Sequence, residues 1–449
     1  MNNKNLAERD LAVLWHPCTQ MKDHEVVPLL PIKQGRGVWL EDFDGNRYLD
    51  AVSSWWVNIF GHAHPVINQA IKTQLDSLSQ VIFAGFTHEV GVVLAEKLVE
   101  LTPQALKRCF YADNGSAAVE IALKMSFQYW KNTGKSQKTR FITLENSYHG
   151  ETLGALAVGN VALYKETYAP LLMEVITVPS PDCYYRETGE TWLDYSTRQF
   201  ALMEQTLAQH ADSVCAVIIE PLVQCAGSMR MYDPVYLRLL REACDKYGVH
   251  LIADEIAVGF GRTGTLFACE QAQISPDFMC VAKGLTGGYL PLSAVLTTDN
   301  IYQAFYADYS QLSAFLHSHS YTGNALACSA GVATLKLFQE QAVIANNQQL
   351  ARCLKRVSAR FIEHPNVAEV RQTGMIVAIE MVKNKQSREP YPWQQRRGLK
   401  AYQYALSKGV LLRPLGNVIY FMPPYIISES ELELLAEVAW QAINVAVND

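Results

Sequence analysis

The central part of the chain carries a series of short, continuous apolar runs, and these constrain the fold more than any other feature. Each run has the length of a β-strand and lacks the alternation of a half-exposed strand. The runs are residues 108–112, 140–144, 214–219, 249–253, 278–282 and 292–296. Continuous apolarity indicates burial on both faces, which is typical of a mostly parallel sheet covered by helices.

Segments with helical periodicity lie between these runs. Residues 117–131 place Ala118 and Ile121 on one apolar face, and residues 234–247 show the same period around Leu240. Strands that alternate with helices predict an α/β domain.

The pattern changes after residue 325, where long helical segments flank two further apolar runs. We therefore predict a large domain over residues 61–325 and a smaller C-terminal domain over residues 326–449. Residues 1–60 are too fragmentary to fold alone, and we expect them to pack with the small domain.

Composition excludes several classes of protein. The chain has 38 basic and 44 acidic residues among 449 and no basic run long enough to follow a nucleic-acid backbone. Its apolar stretches are far shorter than the roughly 20 residues that span a bilayer, and the first residues lack the apolar run of a secretory signal. None of the ten cysteines is spaced as C-x-x-C. We expect reduced thiols and a cytoplasmic protein, with neither nucleic acid nor membrane as a partner.

Charged residues follow two of the apolar runs. Asp254 follows residues 249–253, and Lys283 follows residues 278–282. In open α/β sheets ligands bind beyond the carboxyl ends of strands, and buried charges need partners there. The simplest account is an ion pair between Asp254 and Lys283 that ties the strands together. The surrounding sequence favours a second account, in which both residues bind a cofactor.

Lys283 has the features of a lysine that binds pyridoxal phosphate covalently. Gly284, Gly287 and Gly288 follow it and let the backbone approach a bound molecule closely. A free lysine, with a pKa of about 10.4, is protonated at neutral pH, and burial lowers that pKa and makes the amine a nucleophile. Asp254 is suited to keeping the pyridoxal ring nitrogen protonated, so that the ring can withdraw electrons from the substrate.

A phosphate site is predicted where the run 108–112 turns into a helix. Gly115 and Ser116 begin that helix, where unpaired amides and the helix dipole meet an anion. The dipole contributes only about 0.3–1 kcal/mol, so Gly115 and Ser116 must also bind directly. An ordinary helix cap is the alternative.

Other residues fit the same site. Tyr148, just after the run 140–144, is placed to lay its ring over a planar cofactor. Glu220 ends the run 214–219, where it orients the site or pairs with Arg262. Trp55 and Trp56 are candidates for an apolar wall beside a substrate, with core packing as the alternative.

Two other motifs in the sequence suggest different chemistry. Residues 259–264 satisfy G-x-G-x-x-G, which would indicate a nicotinamide-dependent dehydrogenase. Asp254 and Glu255 separate that motif from the strand, and no helix start follows it, so we disfavour this alternative. Histidines at 62, 64, 317 and 319 lack a carboxylate or thiol at ligand spacing, and we predict no metal.

The segment 251–256, with Asp277 and Lys283 beyond it, resembles the cofactor motif of the class III aminotransferases, which are pyridoxal-phosphate enzymes of fold type I. The likeness runs nearly end to end. It implies a large domain with a mostly parallel sheet and a smaller α+β domain built from both termini. Within the class, several stretches resemble the branch that aminates 8-amino-7-oxononanoate in biotin biosynthesis; they are residues 16–21, 53–56, 114–116, 219–232, 413–414 and 420–427.

The resemblance also implies roles for the residues of the site. Lys283 would hold the cofactor and move the proton, while Asp254 contacts the ring nitrogen, Tyr148 the ring, and Gly115 and Ser116 the phosphate. The implied substrate residues are Trp55, Trp56, Tyr148, Lys283, Ser318, Arg413, Cys18 and Arg262, with Arg413 on the distal carboxylate. His319 and Ser320 would reach the phosphate in the neighbouring subunit, which makes the expected assembly a homodimer.

The sequence departs from that branch at two places. Cys18 stands where its best-known members have a tyrosine that touches the substrate amine, so S-adenosylmethionine and lysine both stay open as the donor. Ser318, His319 and Ser320 replace a Gly-Pro-Thr. The main alternative activity is another ω-aminotransferase, acting on ornithine, 4-aminobutyrate or a diamine.

Overall fold

The chain divides into two units, and the first contains both ends of the chain. The computed structural model describes residues 2–448. The first unit comprises Met1–Pro65, Arg352–Val370 and Val377–Asp449, and the second comprises Val66–Ala351 and Arg371–Ile376. The second unit thus continues well beyond residue 325, where the sequence-based division ended the large domain.

The strands form three sheets and one short hairpin among the described residues. In chain order they are β1 (Ile32–Arg36), β2 (Trp39–Asp42), β3 (Arg47–Asp50), β4 (Leu106–Ala112), β5 (Arg140–Leu144), β6 (Ile176–Val178), β7 (Val214–Ile219), β8 (Val223–Gln224), β9 (Arg230–Met231), β10 (His250–Asp254), β11 (Phe278–Val281), β12 (Ser293–Thr298), β13 (Val367–Thr373), β14 (Ile376–Met381), β15 (Val410–Leu411) and β16 (Val418–Phe421).

The helical segments range from one turn to 20 residues. They are α1 (Asn3–Leu11), α2 (Ser53–Trp56), α3 (Pro65–Leu75), α4 (Glu89–Leu101), α5 (Gly115–Asn132), α6 (Leu153–Val158), α7 (Ala162–Lys165), α8 (Trp192–His210), α9 (Pro234–Tyr247), α10 (Cys269–Ala272), α11 (Asp299–Gln303), α12 (Ala325–Glu340), α13 (Val343–Ser358), α14 (Arg397–Ser407) and α15 (Glu429–Asn448). Short 3₁₀ helices lie at Met21–Glu25, Glu166–Leu171, Cys183–Tyr185, Lys283–Thr286, Tyr309–Gln311, Ala359–Glu363 and Trp393–Gln395. Within residues 2–448, no helix is both long enough and apolar enough to cross a membrane.

The second unit is built on a seven-stranded sheet in the order β4-β12-β11-β10-β7-β5-β6. Strand β12 runs antiparallel to both of its neighbours, and the pairs around β10, β7 and β5 are parallel. Every residue of β7, β10 and β11 is buried. The continuous apolar runs therefore become central strands covered on both faces, as predicted.

Two other sheets are built from strands of the N-terminal and C-terminal regions. One has the order β1-β2-β3-β15, so a strand from the C-terminal region joins three from the N-terminal region. The other has the order β13-β14-β16. The N-terminal segment thus shares a sheet with the C-terminal part of the chain.

Helix α12 belongs to the second unit because it packs closely there. Gly331 is the point of closest approach: a Cβ added to it would lie 3.0 Å from a methyl carbon of Leu94 on α4. The same Cβ would lie 3.5 Å from the carbonyl oxygen of Leu285. This small-residue contact explains why the unit continues past residue 325.

Candidate active site

Lys283 lies just beyond β11 with a strained backbone. Its φ is +47°, in the left-handed region that residues other than glycine rarely adopt. Such a conformation costs about 1–2 kcal/mol. Gly284 follows it closely against Phe260, where an added Cβ would lie 3.1 Å from the Phe260 Cβ. Packing therefore over-determines the path of the backbone that carries the lysine.

Asp254 ends β10 and is buried, with both carboxylate oxygens in contact. Its Oδ2 lies 2.7 Å from Nδ1 of His149, and its Oδ1 accepts a hydrogen bond from the Ile256 N–H at 3.1 Å. A histidine nitrogen that carries a proton can donate it to a carboxylate oxygen at this distance. The Nε2 of His149 is buried without a hydrogen-bond partner among the described residues. Asp254 is thus held in a single orientation.

Glu220 contacts the backbone of Tyr148 and interacts electrostatically with Asp254 and Lys283. One carboxylate oxygen accepts the Tyr148 N–H at 3.0 Å, and the other accepts the Cys225 N–H at 3.1 Å. Burial and the charge of Asp254 raise the pKa of Glu220 well above its usual value, against the opposing effect of Lys283. Glu220 therefore favours its neutral form.

Burial also governs the amine of Lys283. It lowers the pKa of Lys283, and the opposing effects of Cys225, Asp254 and Glu220 are smaller. The charge of Arg262, which is only 1% exposed, acts in the same direction as burial. The structure thus places Arg262 within electrostatic reach of the lysine, and it favours a neutral, nucleophilic amine.

Helix α5 begins close to Ile256, two residues after the end of β10. The Asn114 side chain accepts the N–H of Ala117 at 3.0 Å, and not that of Gly115 or Ser116. A Cβ added to Gly115 would lie 3.0 Å from Ile256, two residues after Asp254. The backbone amides that we predict to bind phosphate therefore lie close to the carboxyl end of β10.

Ser116 also contacts the loop that carries Tyr148. Its Oγ accepts the Glu151 N–H at 3.2 Å, and a Cβ on Gly150 would lie only 2.0 Å from that Oγ. The Tyr148 hydroxyl donates to Glu151 at 2.9 Å, and its ring meets Tyr164 edge-on with the centroids 5.5 Å apart. The stacking role of Tyr148 stays a prediction.

Residues 317–320 lie near the start of α5 of the same chain. His319 Nδ1 lies 3.3 Å from Oδ2 of Asp113, just before α5, and His319 Nε2 lies 3.0 Å from Nε2 of His317. The Ser320 carbonyl accepts from the Gln80 side chain at 3.0 Å. Within residues 2–448, no group of three or more histidine, cysteine, aspartate or glutamate side chains is arranged to hold a metal ion.

Four of the predicted substrate residues, Cys18, Trp55, Trp56 and Arg413, lie in the first unit. The Arg413 guanidinium carbon lies 4.0 Å from the ring centroid of Trp55, which is 38% exposed. Trp56 is buried, and its indole N–H donates to the Tyr420 hydroxyl at 2.9 Å. Cys18 is exposed, with a φ of +49°. The two tryptophans thus have different roles, and only Trp55 presents its ring to solvent.

The sequence analysis assigned His149 no role, although its Nδ1 lies 2.7 Å from the Asp254 carboxylate. Its position directly after Tyr148 was the available signal. A single histidine in a loop is usually a packing residue, so only the fold could reveal that it meets the end of β10.

Comparisons with known proteins identify the family of this chain. The family model described as aminotransferase class-III matches residues 20–443. The chain belongs to the class III aminotransferase family, which confirms the predicted family and its fold type I architecture.

Named relatives cover almost the whole chain. An adenosylmethionine-8-amino-7-oxononanoate aminotransferase of Helicobacter pylori is 47% identical over 96% of this chain and 95% of its own length. The crystal structure of the enzyme of that name from Methanocaldococcus jannaschii superposes with a TM-score of 0.93 at 38% identity, covering 99% of both chains. An omega transaminase of Pseudomonas jessenii in complex with PMP gives a TM-score of 0.94 at 28% identity, over 99% of this chain and 98% of that one.

Glu255 follows Asp254 and stabilises the loop beyond β10. Its carboxylate is fully buried and accepts the backbone N–H groups of Ala268 at 3.0 Å and Cys269 at 2.8 Å. Burial raises the pKa of Glu255 to about 7, which these hydrogen bonds only partly oppose. The unfolded chain therefore ionises this residue at lower pH than the folded protein does, and stability falls as the pH rises from about 4.5 to about 7.

We predict that Glu255→Gln removes this part of the pH dependence. One pKa unit corresponds to about 1.4 kcal/mol, so the unfolding free energy of the wild type should fall by about 3 kcal/mol relative to the variant across that range. Thermal unfolding from pH 4.5 to 8 measures this, with Glu100→Gln at an exposed position of α4 as the control. Parallel curves for wild type and Glu255→Gln would contradict the prediction.

Proposed function

We propose that the protein transfers an amino group to 8-amino-7-oxononanoate, giving 7,8-diaminononanoate in biotin biosynthesis, with S-adenosylmethionine as the donor. The relatives from Helicobacter pylori and Methanocaldococcus jannaschii have the corresponding name, and this chain matches them over nearly their whole length. In this chain the proposal rests on Arg413 lying over Trp55. An indole face suits an aliphatic chain, and a guanidinium suits the carboxylate at the end of that chain.

We propose pyridoxal phosphate as the cofactor, because the buried groups of the second unit suit each of its parts. The Lys283 amine suits the aldehyde, the Asp254 carboxylate suits the ring nitrogen, and the first amides of α5 suit the phosphate. When bound, this cofactor withdraws electrons from the substrate carbon that carries the amine, so that the carbon can lose and regain a proton.

Each residue then has a defined task. Lys283 would hold the cofactor and carry the proton on its Nζ. Asp254, in contact with His149, would stabilise a positive charge on the ring nitrogen. Gly115 and Ser116 would bind the phosphate. The Tyr148 ring would lie against the cofactor, and the Tyr148 backbone N–H donates to Glu220.

The neutral form of Glu220 contributes to this chemistry. An ionised Glu220 would stabilise the ammonium form of Lys283 and so leave a smaller fraction of the amine neutral and nucleophilic at a given pH. Because burial and Asp254 raise the pKa of Glu220, that stabilisation is weakened and the lysine is more readily neutral. The raised pKa of Glu220 thus makes its charge easier to suppress beside the lysine.

We propose that the enzyme is a cytoplasmic homodimer. Most of its ten cysteines are buried, which suits a reducing compartment. His319 lies 3.3 Å from Asp113, just before α5 of its own chain. The resemblance to the family implies that, in a dimer, His319 and Ser320 would complete the phosphate site of the neighbouring subunit. Ser318 would then lie on the substrate side.

Cys18 bears on which amine is the donor. Cys18 is smaller than the tyrosine that resemblance leads us to expect there, and it offers a weak donor in place of a phenol. Arg262 is buried, and its charge helps to lower the pKa of Lys283. Lysine is therefore the alternative donor to S-adenosylmethionine.

A different ω-aminotransferase activity is the second candidate. The Pseudomonas jessenii omega transaminase matches this fold as closely as the Methanocaldococcus enzyme does, although its identity is lower. Overall fold therefore does not separate these substrates, and the residues around Trp55 must do so.

The half-reactions test the proposed substrate directly. The enzyme is first loaded with amine by a donor, which removes the visible absorption band of the bound cofactor, and then receives an acceptor. We predict that 8-amino-7-oxononanoate restores the band and that the overall kinetics are ping-pong. Restoration by 2-oxoglutarate or pyruvate but not by 8-amino-7-oxononanoate would contradict the assignment. Parallel loading with S-adenosylmethionine and lysine identifies the donor.

Arg413→Gln tests the carboxylate site. Hydrogen bonds to charged groups contribute about 1.5–3 kcal/mol, so the KM for 8-amino-7-oxononanoate should rise between about tenfold and a hundredfold. The matched control is Arg47→Gln, because Arg47 lies over Trp39 in the same unit with a distance of 4.8 Å to the ring centroid. We expect the control to leave KM unchanged. Equal effects of the two substitutions would argue against a substrate role for Arg413.

A further inference from the structure

The two tryptophans follow an unusual turn of the backbone. Four consecutive residues of α2 have positive φ values: 51° at Ser53, 46° at Ser54, 71° at Trp55 and 73° at Trp56. None of them is glycine, the residue that adopts this region without steric conflict. The left-handed turn therefore persists only because contacts around it stabilise it.

Asp50 supplies the contacts at the start of the turn. Its side chain is fully buried. Its Oδ1 accepts the Ser54 N–H at 2.9 Å, and its Oδ2 accepts the Ser54 hydroxyl at 2.7 Å and lies 3.0 Å from Nε2 of His62. One carboxylate thus binds both polar groups of the second residue in the turn.

Asp50 and His62 are themselves firmly placed. Asp50 ends β3, and its N–H donates to the Val38 carbonyl at 2.9 Å. His62 exchanges two backbone hydrogen bonds with Gly37, and its ring occupies space beside Gly35, where an added Cβ would lie 2.7 Å from the ring carbon Cγ. The carboxylate and the imidazole therefore act as a fixed support for the turn.

The charge state of Asp50 agrees with this role. Burial alone would raise its pKa, but the hydrogen bonds from His62 and Ser54 outweigh burial, and the net effect is a lowered pKa. The carboxylate is therefore ionised at neutral pH, when it accepts hydrogen bonds most strongly.

We propose that Asp50 is a positioning residue for the acceptor site: together with His62 it holds Ser54 in the left-handed turn, and the turn sets the Trp55 ring against Arg413. This inference rests on the proposed function, in which Trp55 and Arg413 bind 8-amino-7-oxononanoate. It assigns substrate affinity to a buried carboxylate that does not touch the substrate. Ser53 assists from the other side, since its hydroxyl donates to the Met422 carbonyl at 2.7 Å.

The primary test is Asp50→Asn. The amide keeps the shape of the side chain but loses its charge and replaces one acceptor oxygen with a donor. We expect the KM for 8-amino-7-oxononanoate to rise about tenfold, as for a lost hydrogen bond to a charged group, while kcat changes less than twofold. The near-ultraviolet circular dichroism signal that Trp55→Phe removes should weaken in Asp50→Asn as well.

Asp42→Asn is the matched control. Asp42 is a fully buried carboxylate of the same four-stranded sheet and accepts hydrogen bonds from Asn3, Asn46 and Tyr48. Its loss should lower the thermal stability without changing KM or the Trp55 signal. Equal KM changes in Asp50→Asn and Asp42→Asn, or no change in Asp50→Asn, would overturn the proposal.

A second substitution provides a rescue. Glycine adopts a φ of +46° without steric conflict, so Ser54→Gly added to Asp50→Asn should restore the Trp55 signal and return KM to within about threefold of wild type. Failure of this rescue would show that Asp50 does not act through the turn. If the wild-type enzyme does not aminate 8-amino-7-oxononanoate, the proposed function is wrong, and the dichroism comparison alone then decides whether Asp50 holds the turn.

Discussion

The burial of Lys283 beside two carboxylates is the constraint on which the rest of the second unit depends. An amine in that position is driven towards its neutral form by burial, while Asp254 and Glu220 act in the opposite direction. The two carboxylates have different surroundings, which limits their combined effect on the lysine pKa. Asp254 receives a histidine and a backbone amide, whereas Glu220 receives two amides and a raised pKa. The lysine can then bind a carbonyl group and move a proton.

The first unit meets a different physical problem, which is to hold a strained backbone. Its left-handed turn exposes Trp55 and buries Trp56, so one residue is available to a ligand and the other anchors the turn. The support comes from a carboxylate at the end of β3 and from hydrogen bonds to the C-terminal part of the chain. The buried charges around Lys283 and the left-handed turn thus lie in different stretches of sequence, each stabilised by its own buried polar groups.

The sequence predicted the sheet well because its central strands are continuous apolar runs, and the strand-end positions of Lys283 and Asp254 followed from them. The edge strand β6 was missed, since three residues give too short a pattern. His149 was missed because its contact with Asp254 exists only in the folded chain, where the loop after β5 lies near the end of β10. The left-handed turn at Ser53–Trp56 was missed because it contains no glycine, the usual signal of positive φ. Local patterns could not reveal either feature, because both are imposed by tertiary contacts.

Peptide mapping of the cofactor-bearing lysine tests the central claim most directly. The enzyme is incubated with pyridoxal phosphate, reduced with borohydride and digested, and the modified peptide is identified by mass spectrometry. The account predicts that the reduced cofactor is attached to Lys283. Lys138 and Lys165 serve as internal comparisons, because burial lowers the pKa of each of them as well. Attachment at either of those lysines, or no specific attachment, would contradict the account.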